Sequence, residues 1–158
     1  MNLSDHIKVT IAMGHQAAGT SSPLNGTSLD MQGFDGVMFV GIVGTLTATQ
    51  ATTLKAQSAP DNATWSDLAG THYNFADSQS GDAAILDIFE PLGTTAGTAP
   101  AGAQPDRYVR PVITRGTANA EILGIVAIQY QADHKPTAQD ATTIVNTLKL
   151  QNSVYGTA

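Results

Sequence analysis

Apolar residues recur at every second position along most of the chain. In "HIKVTIA", Ile7, Val9 and Ile11 share one face and Lys8 and Thr10 the other, the period of a half-exposed β-strand. "GVMFVGIVGTL", Gly36 to Leu46, is apolar on both faces, which predicts a strand in the middle of a core. In "ATTLKAQSAPDNATWSDLAG", Leu54, Ala56 and Ser58 alternate with Lys55 and Gln57 before a turn signal. Pro60 presets φ there, and Asp61 and Asn62 can bond the backbone locally. Trp65 then opens the return strand of a hairpin. "DAAILDIFE" (Asp82 to Glu90), "RYVRPVITR" (Arg107 to Arg115) and "NAEILGIVAIQYQ" (Asn119 to Gln131) follow as three more strands. "GTAN" between the last two is short enough for a second hairpin.

Six or seven strands at regular spacing predict an all-β fold, an antiparallel β-sandwich or barrel, as a single domain over residues 1–158. At most one short C-terminal helix is expected. It lies in "TAQDATTIVNTLKL", where Ile144, Val145 and Leu148 fall at helical spacing and Thr137 or Asp140 is available as a cap. Residues 13–27 and 93–105, built from Gly, Ala, Ser, Thr and Pro, read as loops, and about 134–158 as a C-terminal arm.

Composition changes the picture in one respect. Charged residues make up 13% of the chain, well below the usual share of about 25%. A surface so poor in charge suits a chain that spends its life packed against other chains. The net charge of −6, with seven cationic residues in all, argues against nucleic acid as a partner. With no cysteine there is no disulfide framework and no thiolate site. The longest apolar run is too short for a membrane helix of about 20 residues, and "MNLSDHIKVTIAMG" has no secretory pattern, so synthesis in the cytoplasm is expected.

Catalytic patterns are scarce. His6, His15, His72 and His134 form no HxxxH or HExxH pair, and GxSxG, P-loop and GxGxxG motifs are missing. No enzyme activity, cofactor or metal is expected. Trp65, the single tryptophan, reads as an anchor packing the hairpin against the core; the competing reading is a stacking platform for a sugar on a carbohydrate-binding module.

All three arginines fall within "RYVRPVITR". Strict alternation places Tyr108, Arg110, Val112 and Thr114 on one face and Arg107, Val109, Pro111, Ile113 and Arg115 on the other. Pro111 has no N–H to give, which puts it at an edge, at a bulge, or pointing away from its neighbour. Arginine suits bidentate pairing and is enriched where proteins meet. One reading pairs these guanidinium groups with Asp87 or Glu90 of the same chain, the other with a neighbouring chain. The candidate interface residues are Arg107, Tyr108, Arg110, Arg115 and Tyr155.

Three blocks in order, "FDGVMFV", "LKAQS" with "DNATWSDLAG", and "DRYVRPVITRGTANA", together with the "YGTA" end, resemble a group of small tailed-bacteriophage capsid decoration (cement) proteins. The resemblance covers roughly residues 28 to 158. It implies an antiparallel β-sandwich or jelly-roll-like subunit, commonly a homotrimer, seated on the outer capsid surface of the virion against the major capsid protein. It implies no active site. A tail or neck component is the alternative within the virion.

Overall fold

The computed structural model describes residues 2–91, 105–135 and 137–147. Ten strands run through them: β1 (Lys8–Met13), β2 (Gln16–Gly19), β3 (Leu24–Asn25), β4 (Leu29–Asp30), β5 (Phe34–Leu46), β6 (Thr52–Ala59), β7 (Ser66–Phe75), β8 (Ala83–Phe89), β9 (Tyr108–Thr114) and β10 (Ala120–Ala132). They form two antiparallel sheets. The first has the order β1-β10-β5-β8, with β2 also on β10; the second has β3-β9-β6-β7, with β4 also on β9. If β3 and β4 count as one interrupted strand, this is the strand order of a double-sheet jelly roll.

The expected β6–β7 hairpin is present, with Ser58 opposite Ser66. Its turn uses the side chain foreseen: Asp61 Oδ1 accepts from the Ala63 and Thr64 amides, at 2.9 and 2.7 Å. The expected β9–β10 hairpin does not form. Both edges of β9 are taken, by β6 on one side and by β3 and β4 on the other, so the short link must arch across to the first sheet.

Between the sheets lie Val37, Phe39 and Val43 of β5 with Ile122, Ile125 and Ala127 of β10, against Leu54 and Ala56 of β6 and Val109 and Ile113 of β9. Leu54 of the second sheet packs over a glycine of β5: a Cβ on Gly41 would lie 2.8 Å from Leu54 Cδ2. Gln129 is the polar plug of this interior, donating 2.7 Å to the Asp30 carbonyl and so tying β10 to β4.

Three expectations need correction. In β1 the faces are reversed: Thr10 and Ala12 are buried, whereas Ile11 is 43% exposed. The register decides this, because Thr10 lies opposite inward-facing Ala127 and Ile11 opposite outward-facing Val126. Residues 13–27 are not one loop: Met13 ends β1, and β2 and β3 form within them. No helix forms within the described part of 137–150. Residues 141–143 make a turn, held by Asp140, whose carboxylate accepts from the Thr142 amide and the Thr142 and Thr143 hydroxyls. Such local side-chain bonds offer the backbone an alternative to the helix. The rest of that segment seals an edge. Gln139 Oε1 accepts from the Val9 amide at 2.9 Å and Thr143 Oγ1 from the Ile11 amide at 3.2 Å, along the open side of β1.

Candidate interaction surface on the second sheet

Pro111 lies on neither an edge strand nor a bulge; it is inside β9, opposite Ala56 of β6. Its nitrogen is turned to the other side. There the partner strand breaks into β3, opposite Ile113 and Val112, and β4, opposite Val109 and Tyr108. The gap falls where β9 has no donor, and the Pro111 carbonyl accepts there from the Gly26 amide at 2.8 Å.

The alternation read from the sequence separates Arg110 from Arg115 correctly but not Arg107, which was expected on the Arg115 face and is instead exposed. Arg115 faces inward with Val109, Pro111 and Ile113 and is only 9% exposed. It bonds three backbone carbonyls: Nε to Ser21, and Nη1 to Ala17 and Ala120, at 2.8 to 2.9 Å. Those carbonyls belong to the loop after β2, to β2 and to the start of β10, so one buried cation pins the arch between the sheets. Arg107 precedes the strand and makes a bidentate pair with Asp30, Nε to Oδ1 at 3.0 Å and Nη2 to Oδ2 at 2.6 Å. The guanidinium bonds hold the Asp30 carboxyl below the usual carboxylate range. The same guanidinium lies 5.2 Å from the Tyr108 ring centroid.

Arg110 points outward. Its Nε and Nη2 both donate to Gln57 Oε1, at 3.0 and 2.7 Å, and its guanidinium carbon sits 4.2 Å from the Trp65 ring centroid. Gln57 Nε2 donates to Asp67 Oδ1 at 2.8 Å, and Lys55 Nζ to Asp67 Oδ2 at 2.7 Å. These two donors, Lys55 first, keep the Asp67 carboxyl ionised below its ordinary range. Trp65, Arg110, Gln57, Asp67 and Lys55 therefore form one continuous polar network across β7, β6 and β9. No carboxylate of the described residues makes an ion pair with Arg110.

The partners differ from those expected. Neither Asp87 nor Glu90 meets an arginine; Asp87 accepts instead from the Tyr130 hydroxyl at 2.6 Å, on the other sheet. Trp65 is half-buried against Arg110 rather than sunk in the core. It precedes inward-facing Ser66 by one residue, so it falls on the outer face. Tyr155 and most of residues 93–105 lie outside the described residues. Alternation in "LKAQS" could have placed Lys55 and Gln57 beside Arg110; Asp30, 77 residues from Arg107, carried no local signal.

No family model and no curated protein matches the chain. Distant likenesses to solved structures exist. The SPBc2 prophage-derived protein YomS aligns at 17% identity with a TM-score of 0.42, over 78% of this chain and 93% of that one. A protein of Bacillus endospore appendages, described as disulfide-linked pili, aligns at 11% identity and TM-score 0.45, over 80% and 88%. An infectious bursal disease virus (Gt strain) protein aligns at 9% identity and TM-score 0.47, over 84% of this chain and 34% of that one.

Proposed function

We propose that this chain is a non-catalytic structural protein of a bacteriophage virion, which decorates the outer capsid surface and clamps neighbouring subunits of the major capsid protein. The observation that carries the reading is a convergence. The blocks on which the sequence resembles decoration proteins are far apart in the chain, yet Lys55, Gln57, Trp65, Asp67 and Arg110, drawn from two of them, lie together on the outer face of the second sheet.

The chemistry of that face suits a shell. Arg110 is a partly buried cation on a neutral amide and an indole, and a carboxylate from a partner would complete it in the bidentate manner arginine favours. A chain that binds the assembled shell and not its separated subunits stabilises the shell by mass action, roughly 3–4 kcal/mol per site at 100 to 1,000 times Kd. A homo-oligomer, threefold as the resemblance implies, would multiply weak contacts through effective concentration.

The test is rebinding. The purified chain should sediment with naked, expanded capsids and raise their temperature of disruption, and Arg110→Glu should weaken both effects. A chain that leaves such capsids unbound at saturating concentration overturns the proposal.

A further inference from the structure

β5 is apolar on both faces, but only one of them is covered by described residues. Outward lie Met38, Val40 and Ile42, all half-exposed. The register extends this face across the whole sheet. Val40 lies beside Val126 of β10 and Ile85 of β8, and Val126 beside Ile11 of β1, giving an unbroken row of four branched aliphatic residues. The next row is Val9, Ile128, Met38 and Asp87, and beyond it Tyr130 and Phe89 flank Gly36. Ile85 is 60% exposed, Phe89 52% and Ile11 43%. Asp87 is the single carboxylate in these rows, and the Tyr130 hydroxyl bonds it.

We propose that this face of the first sheet is the seat of a second copy of the same chain. The inference goes beyond the virion reading and does not rest on it. Charge favours the choice. Each copy carries a net charge of −6, but Asp87 in these rows and Glu121, on the same face beyond Ile42, are both bonded within the chain, Asp87 to Tyr130 and Glu121 to the Thr45 amide and His15, so two copies can meet here without opposing unpaired carboxylates. Ile and Val rows on a pleated sheet are the surface that packs against another sheet about 10 Å away, as the inner faces of sandwiches do.

Area favours it too. Four strands about 4.8 Å apart and three rows about 6.8 Å apart make a face of roughly 400 Å². That is within the range of functional apolar patches and about half of the roughly 800 Å² per partner of a standard interface. The rim must supply the remainder, and a micromolar association is expected. At the β1 edge, Gln139 and Thr143 occupy the amides and block growth by strand addition.

Sedimentation velocity from about 1 to about 100 µM brackets that affinity. The wild-type chain should pass from monomer to oligomer across this range. Ile85→Lys and Ile11→Lys alter exposed side chains and should fold normally by circular dichroism, and each should weaken association at least tenfold. A chain monomeric throughout overturns the proposal, as does an oligomer indifferent to both substitutions. Two other occupants have their own signatures. Association that appears only when residues 148–158 are removed would mean that this segment covers the face. Normal association with lost capsid binding in Ile85→Lys would mean that the shell does. Either result overturns the proposal, and the second leaves the virion reading standing.

Discussion

Arg110 holds its guanidinium over the Trp65 ring while spending two of its N–H groups on one acceptor, Gln57 Oε1. The arrangement leaves the tryptophan supported from below by a cation and open only on its remaining surface. It joins the end of the β6–β7 turn to the middle of β9, so the hairpin is fastened from outside as well as by Leu54, Ala56 and Phe75 in the core.

Trp65→Ala should therefore cost about 1–2 kcal/mol, the worth of a partly desolvated cation–π contact with some lost packing, against about 3–5 for a core aromatic. Urea unfolding followed by circular dichroism measures it. Arg110→Glu sets a carboxylate against Gln57 Oε1 and near Asp67, and should destabilise by a similar amount. Neither the wild type nor this variant should show salt-sensitive binding to duplex DNA.

Arg115→Ala is expected to be far more damaging. It removes the bonds to Ala17 and Ser21 and strands the buried Ala120 carbonyl, and a buried polar group without a partner costs about 1–3 kcal/mol. Arg115→Lys should rescue little, since a single ammonium cannot span three acceptors around a planar fork. Thermal unfolding of the two variants gives the comparison.

Tyr130 lies across Gly36, where a Cβ would stand 2.2 Å from its Cζ. Gly36→Ala must push the ring aside and separate the hydroxyl from Asp87, at a cost of about 1–3 kcal/mol. The absorbance of tyrosinate reports the change directly, as the next titration explains.

Burial, and then the bond to Asp87, push the Tyr130 phenol up to about 12. The folded state holds this proton more tightly than the unfolded chain does. Its contribution is thus complete below about pH 10, the unfolded value, and is lost as pH rises towards 12. Spectrophotometric titration should show Tyr130 ionising late in the wild type and at lower pH in Gly36→Ala.

At the acid end the sign is opposite. Asp30 and Asp67 are held below their ordinary values by Arg107 and by Lys55 with Gln57. The folded state resists their protonation, so their contribution is present above about pH 4 and disappears as pH falls through the lowered values. Urea midpoints measured between about pH 6 and about pH 2.5 should fall in that window, and less steeply in Asp67→Asn.

Sequence pattern made the sandwich legible because the period of two survives through most of the core strands, broken in β10 only by the irregularity between Ile122 and Ile125. It misassigned β1 because Ile7, Val9 and Ile11 look like a buried face, and only the register against β10 shows that Thr10 and Ala12 turn inward. It misread the second face of β5 for a related reason. Apolar residues on both faces were taken for burial on both, whereas the outer set is half-exposed. The arginine alternation held in β9, but the partners did not follow. Asp30, Gln57 and three carbonyls come from segments whose approach depends on the crossing of strands between sheets.

The bonds from Gln139 and Thr143 to β1 join residues 130 and 132 positions apart. β1 itself pairs with β10, so the first strand made waits for the last strand before it has a neighbour. On a ribosome adding about 5–20 residues per second, β1 stays without its sheet for several seconds, and its amides stay open until the segment after β10 has emerged. Folding of the first sheet is thus a late event in synthesis, and a chain halted before residue 139 presents an unsealed strand edge to whatever lies nearby.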